Sequence, residues 1–432
     1  MIAYRNKCHF CGRWLRYGIA RLILVACVLL VTGSGGCGGG SMQEVLPGKM
    51  LDGAGDRTPP GAVYDFAASE DDGIVSLTWK TDWSPGLKGV LVRRSPYGWP
   101  ENPDAPDSDS DRIVYSGVIH NYSDSGLEHR VAYYYSAFSF DGVPNYSEPV
   151  FASAVAVFRP YTFVVVPDTQ YVALSYPALL NTMMQWAVDN RYGENIKFLL
   201  HEGDMTHTNS ISEWNNVSAS FGLLEGNVPY AFCPGNHDDT SGDTARMNAY
   251  LPVGRYDGTK TFGGTFEEGR MDNTWHSFSA GGTDWLVVAL EYNPRDEVLE
   301  WVNGITASNP GKRVIVLTHA YLEIDGTRGS IGNRIWNNYV KLHENVIFVF
   351  NGHYTEADGA RLVSEGDNGN KVYQMFANYQ DLPLGGTGYM RLVRMDLDAK
   401  SVSVKTFSPF LNEFKKDDVN QFVFENVEFG PM

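Results

Sequence analysis

The chain has 432 residues, of which 43% are hydrophobic and 13% aromatic, so it can bury the cores of two folded domains and is not wholly disordered. Its formal charge is −17, from 34 basic and 51 acidic residues. A general nucleic-acid binder needs Lys and Arg to neutralise phosphates. This balance therefore argues against nucleic acid as a partner, although a few substrate phosphates at a metal site remain compatible with it.

The first 36 residues have the pattern of an export signal. Five basic residues precede the apolar run LILVACVLLV (22–31), which is too short to span a bilayer comfortably, and the small-residue segment TGSGGCGGGS follows. GSGGC resembles a bacterial lipoprotein cleavage box, although Ser34 stands where Leu is usual. We expect 1–36 to be a signal peptide and Cys37 to be lipidated, with ordinary secretion into the periplasm or the medium as the alternative.

Loss of this signal would change the charge and the cysteine content. It removes five basic residues and no acidic one, so the formal charge falls from −17 to −22. Three of the five cysteines leave as well, including both members of CHFC, which is therefore not interpreted as a zinc or redox motif. Only Cys37 and Cys233 remain, and we expect no disulfide framework.

The next two segments are predicted to be a tether and an all-β domain. Residues 37–58 are rich in Gly and lack periodicity, which indicates a flexible tether. Between 59 and 158, short apolar segments alternate with Pro, Gly, Asn and Asp, which is typical of a β-sandwich. The predicted strands include 73–80, 89–95, 112–117 and 131–141.

This all-β stretch resembles a fibronectin type III domain. The resemblance rests on the PP entry at 59–60, on Trp79 in LTW, and on Leu127 six residues before Tyr133. The last spacing is that of a tyrosine corner, in which the phenol hydrogen-bonds back to the main chain. The resemblance implies a spacer, or a module that contacts carbohydrate or protein.

From 162 to 410 the pattern changes to strands that alternate with helices, which indicates an α/β domain, and 411–432 is predicted to be a C-terminal extension. Several apolar runs end directly in polar residues that bind divalent metals. In such domains ligands gather beyond the carboxyl ends of the strands. Carboxylate, amide oxygen and imidazole together suit Mn, Fe, Zn or Mg. The candidate ligands are Asp168, Gln170, Asp204, Asn236, His319 and His353.

Five segments at these strand ends resemble the motifs of the calcineurin-like metallophosphoesterases. They are DTQ (168–170), GDMTH (203–207), GNHDD (235–239), LTHA (317–320) and GHYT (352–355), in the order of the family. The resemblance covers about 162–410. It implies a four-layer fold of two mixed sheets flanked by helices, with a two-metal centre that activates water to hydrolyse a phosphoester.

The resemblance also implies a role for each candidate. Asp204 would bridge two divalent ions, while Asp168 and Gln170 would bind the first. Asn236, His319 and His353 would complete the second. His237 matches a histidine that does not bind metal and that protonates the leaving oxygen or stabilises the charged transition state.

Two departures from the family pattern fall on the first ion. Gln170 replaces the His of Asp-x-His, and Thr355 replaces the second His of Gly-His-x-His. An amide oxygen and a hydroxyl in place of two imidazoles predict weaker binding and a preference for oxygen-loving ions such as Mg, Mn or Ca. Part of the family has PDTQ at this place, so we interpret Gln170 as a variant of the motif. Glu356 or Asp358 could compensate.

Three further residues have open roles. His207 stands where related proteins often have an acid that orients the catalytic histidine. Arg361 could bind a substrate phosphate in bidentate fashion or form a surface ion pair. Gln380 and the glycines after it could form a loop beside the site or a turn between core strands.

The sequence thus predicts an exported, lipid-anchored, metal-dependent phosphoester hydrolase with a fibronectin-like spacer. Two other functions stay open. A surface lipoprotein for binding or adhesion could carry a degenerate phosphoesterase fold, as Gln170 and Thr355 would allow. A nuclease would keep the chemistry, but the acidic charge and the lack of a basic stripe argue against it.

Overall fold

The computed structural model describes residues 57–82, 86–143 and 145–429. The predicted signal peptide, Cys37 and nearly all of the predicted tether lie outside these residues. Within the described ranges, no helix combines the length and the apolar character needed to cross a membrane.

The N-terminal part is a β-sandwich. One sheet has the strand order β1-β2-β5 and the other β4-β3-β6-β7. Inward residues such as Val75, Leu77 and Trp79 alternate with exposed ones along the second strand and fill the space between the sheets. The strands are β1 (Tyr64–Asp71), β2 (Ile74–Lys80), β3 (Leu87–Ser95), β4 (Arg112–Gly117), β5 (Asn121–Asp124), β6 (Ala132–Asp141) and β7 (Val150–Val155).

The tyrosine corner is confirmed, because the main-chain N–H of Glu128 donates to the phenol oxygen of Tyr133 at 3.0 Å. The predicted strands coincide with β2, β3, β4 and β6 to within two residues. The sandwich is therefore fibronectin type III-like, as the sequence predicts.

The α/β part contains the remaining strands and the longer helices. Its helices are α1 (Gln170–Ser175), α2 (Pro177–Asp189), α3 (Ile211–Gly222), α4 (Ala245–Tyr250), α5 (Asp296–Ala307) and α6 (Ser330–Asn338), with a short helical turn at Pro383–Gly386. Its strands are β8 (Tyr161–Val166), β9 (Ile196–His201), β10 (Tyr230–Phe232), β11 (Phe262–Thr265), β12 (Thr274–Ala280), β13 (Thr283–Ala289), β14 (Arg313–Leu317), β15 (Val346–Asn351), β16 (Gly359–Glu365), β17 (Lys371–Ala377), β18 (Met390–Asp396), β19 (Ser401–Ser408), β20 (Glu413–Lys415) and β21 (Gln421–Glu425).

These strands form two mixed sheets in four layers. One has the order β10-β9-β8-β18-β19-β20, with β21 also paired to β19, and the other has the order β11-β12-β13-β14-β15-β17-β16. A core rich in Phe, Val and Leu lies between the sheets, and helices cover the outer face of each. β-Branched runs such as those of β8 and β14 are wholly buried, as strands covered on both faces must be. The predicted four-layer architecture is confirmed.

The predicted C-terminal extension is part of this fold. β20 and β21 both pair with β19 in antiparallel fashion, and Phe424 and Val427 belong to the core between the sheets. The boundary at 410 is therefore corrected. These strands are short, and their alternation of buried and exposed residues is weak, so the sequence pattern does not reveal them.

Candidate metal centre

The candidate ligands lie at one edge of the two sheets. β8, β9 and β10 are parallel to one another, as are β13, β14 and β15. The carboxyl ends of parallel strands meet at the same edge, where loops converge. Five of these strands are followed by candidate residues: Asp168 and Gln170 after β8, Asp204 after β9, Asn236 and His237 after β10, His319 after β14, and His353 after β15.

Four of these side chains converge on one point. Nε2 of His319 lies 3.2 Å from Oδ2 of Asp204 and 3.2 Å from Oδ1 of Asn236. Nδ1 of His353 lies 3.2 Å from the same nitrogen. The donor atoms of Asp204, His319 and His353 all lie within 4.8 Å of one another, which fits ligand distances of about 2.0–2.2 Å around one ion.

The protonation of His319 shows why a cation fits this point. Its Nδ1 lies 2.8 Å from the main-chain oxygen of Glu202 and donates to it, as the second nitrogen of a metal-bound histidine commonly does. In the neutral ring Nε2 then carries a lone pair and faces two oxygens. Without a cation the position needs a proton, because the negative charges of Asp204 and Asp168 outweigh burial and raise the pKa of His319 to about 10.

Two glycines allow the carboxylates to approach. A Cβ at Gly352 would lie 2.0 Å from Oδ2 of Asp168, and a Cβ at Gly235 would lie 2.1 Å from Oδ1 of Asp204. No other residue leaves this space free, so both positions require glycine. The glycines of GHYT and GNHDD therefore serve the site directly.

The two carboxylates differ in ionisation. Burial raises the pKa of Asp168 to about 7, and the charge of Asp204 acts in the same direction. The pKa of Asp204 is instead lowered, because the charge of His319 and hydrogen bonds from His319 and from the His237 main chain outweigh burial. Asp168 also accepts from the main-chain N–H of His353 at 3.2 Å. This bond ties Asp168 to the loop that carries His353.

His237 is held with one ring nitrogen free. Its Nδ1 donates to the main-chain oxygen of His207 at 2.8 Å, and its main-chain N–H donates to Oδ1 of Asp204 at 2.9 Å. The rings of His237 and His207 stack with their centroids 5.1 Å apart. Nε2 of His237 thus has no hydrogen-bond partner among the described residues.

Gln170 and Gln380 are directly bonded. The side-chain amide of Gln170 donates to Oε1 of Gln380, and both residues are buried. The remaining oxygen of Gln170 lies 3.4 Å from Nδ1 of His207. The structure therefore places Gln380 beside the candidate ligands and gives Gln170 an oriented amide oxygen.

Thr355 and Arg361, two further candidate residues, are both exposed at the surface. Thr355 is exposed and lines a cavity of about 210 Å³ beside Glu356 and Asp358. Asp358 is paired with Lys415 at 2.8 Å. The guanidinium of Arg361 is also exposed; it donates to the main-chain oxygen of Asp418 and lies 4.4 Å from the ring centroid of Phe422. These contacts hold Arg361 at the surface, and its role as a phosphate-binding residue stays a prediction.

Sequence reasoning assigned no role to Asp238 or Tyr292, and both support the site. Buried Asp238 accepts from the main-chain N–H groups of Gly235 at 2.9 Å and Thr206 at 2.9 Å, which joins the loops after β9 and β10. Tyr292 packs against His319 and His353, with centroid distances of 5.9 and 5.4 Å. Tyr292 also lies shortly after the apolar strand β13, in the segment VVALEY. The reasoning that selected polar residues at the ends of apolar strands would therefore have selected Tyr292 as well.

Two stacked mixed sheets with carboxylate, amide and imidazole groups at one edge define a metallophosphoesterase-type domain. Residues 161–355 match the family Calcineurin-like phosphoesterase. The matched segment lies within the α/β part of the chain and agrees with the resemblance that the sequence motifs predict. The family implies a metal-dependent phosphoester hydrolase that uses divalent ions.

The chain is similar to several known proteins. It is 32% identical over 270 residues to the uncharacterised protein YvnB of Bacillus subtilis (strain 168), covering 61% of this chain and 21% of the other, so it spans about a fifth of that relative. Purple acid phosphatase PPD1 from yellow lupin (Lupinus luteus) is 12% identical over 83% of this chain and 73% of its own, with a TM-score of 0.42. A putative 5′-nucleotidase from Staphylococcus aureus is 13% identical over 62% and 55%, with a TM-score of 0.35.

Proposed function

We propose that the chain is an exported phosphoester hydrolase with a centre for two divalent ions. The observation that carries this proposal is the convergence of Asp204, Asn236, His319 and His353 on one point at the strand ends. The family match supports the same class of reaction.

The chain's own residues would bind the ions and orient the substrate. When bound, the ions would supply Lewis-acid stabilisation of the phosphoryl charge and lower the pKa of water. Asp204 is suited to serve both ions, because Oδ2 faces His319 while its negative charge also acts on Asp168, a ligand proposed for the first ion.

His237 would act on the leaving oxygen. The carbonyl of His207 fixes the proton on Nδ1, so a second proton can be held or released only at Nε2. Such a general acid contributes about 10²- to 10⁴-fold to a rate.

Asp168 and Gln170 would bind the first ion through oxygen. The bond to Gln380 holds the amide nitrogen of Gln170, so its oxygen is the atom available to an ion. Because this set lacks the two imidazoles of the family pattern, we expect the first ion to bind more weakly than the second and to be Mg or Mn.

Export and lipid anchoring through Cys37 form part of the proposal. They rest on the N-terminal sequence pattern alone. The fibronectin-like sandwich would then separate the hydrolase from the membrane surface.

The proposal is tested by hydrolysis of p-nitrophenyl phosphate and bis(p-nitrophenyl) phosphate. The chain is stripped with a chelator and reloaded with Mn, Mg, Fe or Zn, and the metal content is measured in parallel. We expect turnover that depends on added metal, loss of turnover in His319→Ala, and retention in His120→Ala. His120 is an exposed histidine of the sandwich and serves as the matched control.

The alternative of a binding lipoprotein predicts a different result. It requires no turnover with any metal and at most one bound ion. Cleavage of DNA at a rate comparable to that of the small esters would instead favour a nuclease.

A further inference from the structure

A polar cavity of about 270 Å³ adjoins the metal centre. Gly235, directly before Asn236, and Tyr292, which packs on His319 and His353, both form part of its wall. An ester whose phosphoryl group lies at the metal centre would therefore have this cavity within reach of its alcohol portion.

Paired charges line the cavity in a fixed arrangement. Arg295 donates to both carboxylate oxygens of Glu291, at 2.9 and 3.0 Å. Glu267 connects the two arginines, with Oε1 2.9 Å from Arg295 and Oε2 3.1 Å from Arg270. Bidentate pairs of this kind hold guanidinium planes in place.

The far end of this network is anchored in the fold. Arg270 donates to Thr244 at 2.6 Å and to Asp272 at 3.2 Å. Asp272 is buried and also accepts from the side chain of Asn248 at 2.8 Å. The groups that face the cavity are therefore oriented before any ligand binds.

The composition of the wall selects the chemistry of the ligand. Four carboxylates face two guanidiniums, a formal balance of −2 that disfavours a second phosphate; these groups are Asp239, Glu267, Asp272, Glu291, Arg270 and Arg295. A hydroxyl group donates to a carboxylate and accepts from a guanidinium, whereas an ammonium group can use only the carboxylates. The volume is slightly below the roughly 300–1,000 Å³ of drug-sized pockets, so the group is small.

We infer that this cavity binds the alcohol portion of the substrate and that this portion is a single sugar or polyol. The ring of Tyr292 offers an apolar face to the C–H groups of such a ligand. The inference rests on the proposed function, because it places the phosphoryl group at the metal centre.

The test compares a sugar phosphate with an alkyl phosphate of similar size. The full chain, loaded with Mn, is assayed with glucose 6-phosphate, hexyl phosphate and p-nitrophenyl phosphate. We expect kcat/KM to be roughly tenfold or more higher for the sugar phosphate than for the hexyl ester, since the alkyl chain would displace water from the charged groups of the cavity without replacing the hydrogen bonds of that water.

Two variants test whether the preference for the sugar phosphate arises in this cavity. Glu267→Gln and Asp239→Asn should each reduce the ratio of the two kcat/KM values by roughly tenfold, mainly through KM for the sugar phosphate. Asp239 has no part in the arginine network described above, so its variant reports on the cavity even if Glu267→Gln disturbs the fold. Glu300→Gln, on the exposed face of α5, is the matched control and should keep the ratio.

The possible failures are distinguishable. Hydrolysis of p-nitrophenyl phosphate with equal kcat/KM for the sugar and hexyl esters, or an unchanged ratio in both cavity variants, overturns this inference alone. Absence of hydrolysis of all three esters overturns the proposed function, and the inference with it.

Discussion

Nδ1 of His353 lies 3.2 Å from Nε2 of His319, and the two residues follow adjacent parallel strands. Nε2 of His319 is also 3.2 Å from Oδ2 of Asp204, so the three donor atoms require a proton or a cation among them. The candidate metal centre thus forms because neighbouring buried strands are followed by polar residues at the same edge of the sheets.

The first prediction concerns Asp204. We expect Asp204→Asn to lower metal affinity by more than roughly 100-fold and to abolish turnover, because the change removes the negative charge that faces His319. Metal content measured by elemental analysis after dialysis checks this. Asp189→Asn, at the exposed end of α2, is the control, and full metal retention in Asp204→Asn would show that the carboxylate is not a ligand.

The second prediction separates His237 from the ligands. His237→Ala should lower kcat by about 10²- to 10⁴-fold while both ions stay bound, because the ring donates to a main-chain oxygen and only its Nε2 is left for proton transfer. Steady-state kinetics with parallel metal analysis measures both effects. Full activity in this variant would exclude the assigned role.

The third prediction concerns Gln170. Gln170→His should tighten binding of the first ion and shift its preference towards Zn or Fe, because an imidazole replaces an amide oxygen. Isothermal titration with Mn and Zn measures the two ions separately, and the affinity of the second ion should stay constant. Unchanged affinity for the first ion would mean that Gln170 does not bind metal.

The fourth prediction uses two glycines with opposite surroundings. Gly352→Ala should lower both Tm and metal content, because its Cβ would lie 2.0 Å from Oδ2 of Asp168. Gly304→Ala, in α5 with nothing within 4 Å of the new Cβ, should instead stabilise the fold by about 0.5–1 kcal/mol. Equal Tm values for the two variants would contradict the close approach at Gly352.

Much of the fold and the site could be predicted because their signals are local. Runs such as TFVVV and RVIVL define buried strands, and the polar residues after them lie where parallel strands end. The same reasoning predicts that Asp204, Asn236 and His319 lie close together, and it does not require knowledge of how the sheets pack.

The remaining features depend on packing between distant segments. Gln170 and Gln380 are 210 positions apart in the sequence. The residues around either glutamine therefore give no indication that the two side chains are hydrogen-bonded. The position of Arg361 depends on which face of β16 meets the C-terminal segment, and that segment was itself predicted to be an extension. The cavity beside Tyr292 forms only because residues after β10, β11 and β13 meet there.

The most direct test of the metal centre is anomalous X-ray scattering from crystals soaked in Mn. We expect two peaks. One should be bounded by Asp204, Asn236, His319 and His353, and a second, weaker one by Asp168, Gln170 and Asp204. The absence of any peak among these side chains at saturating Mn, with the fold intact, would contradict the proposed hydrolase.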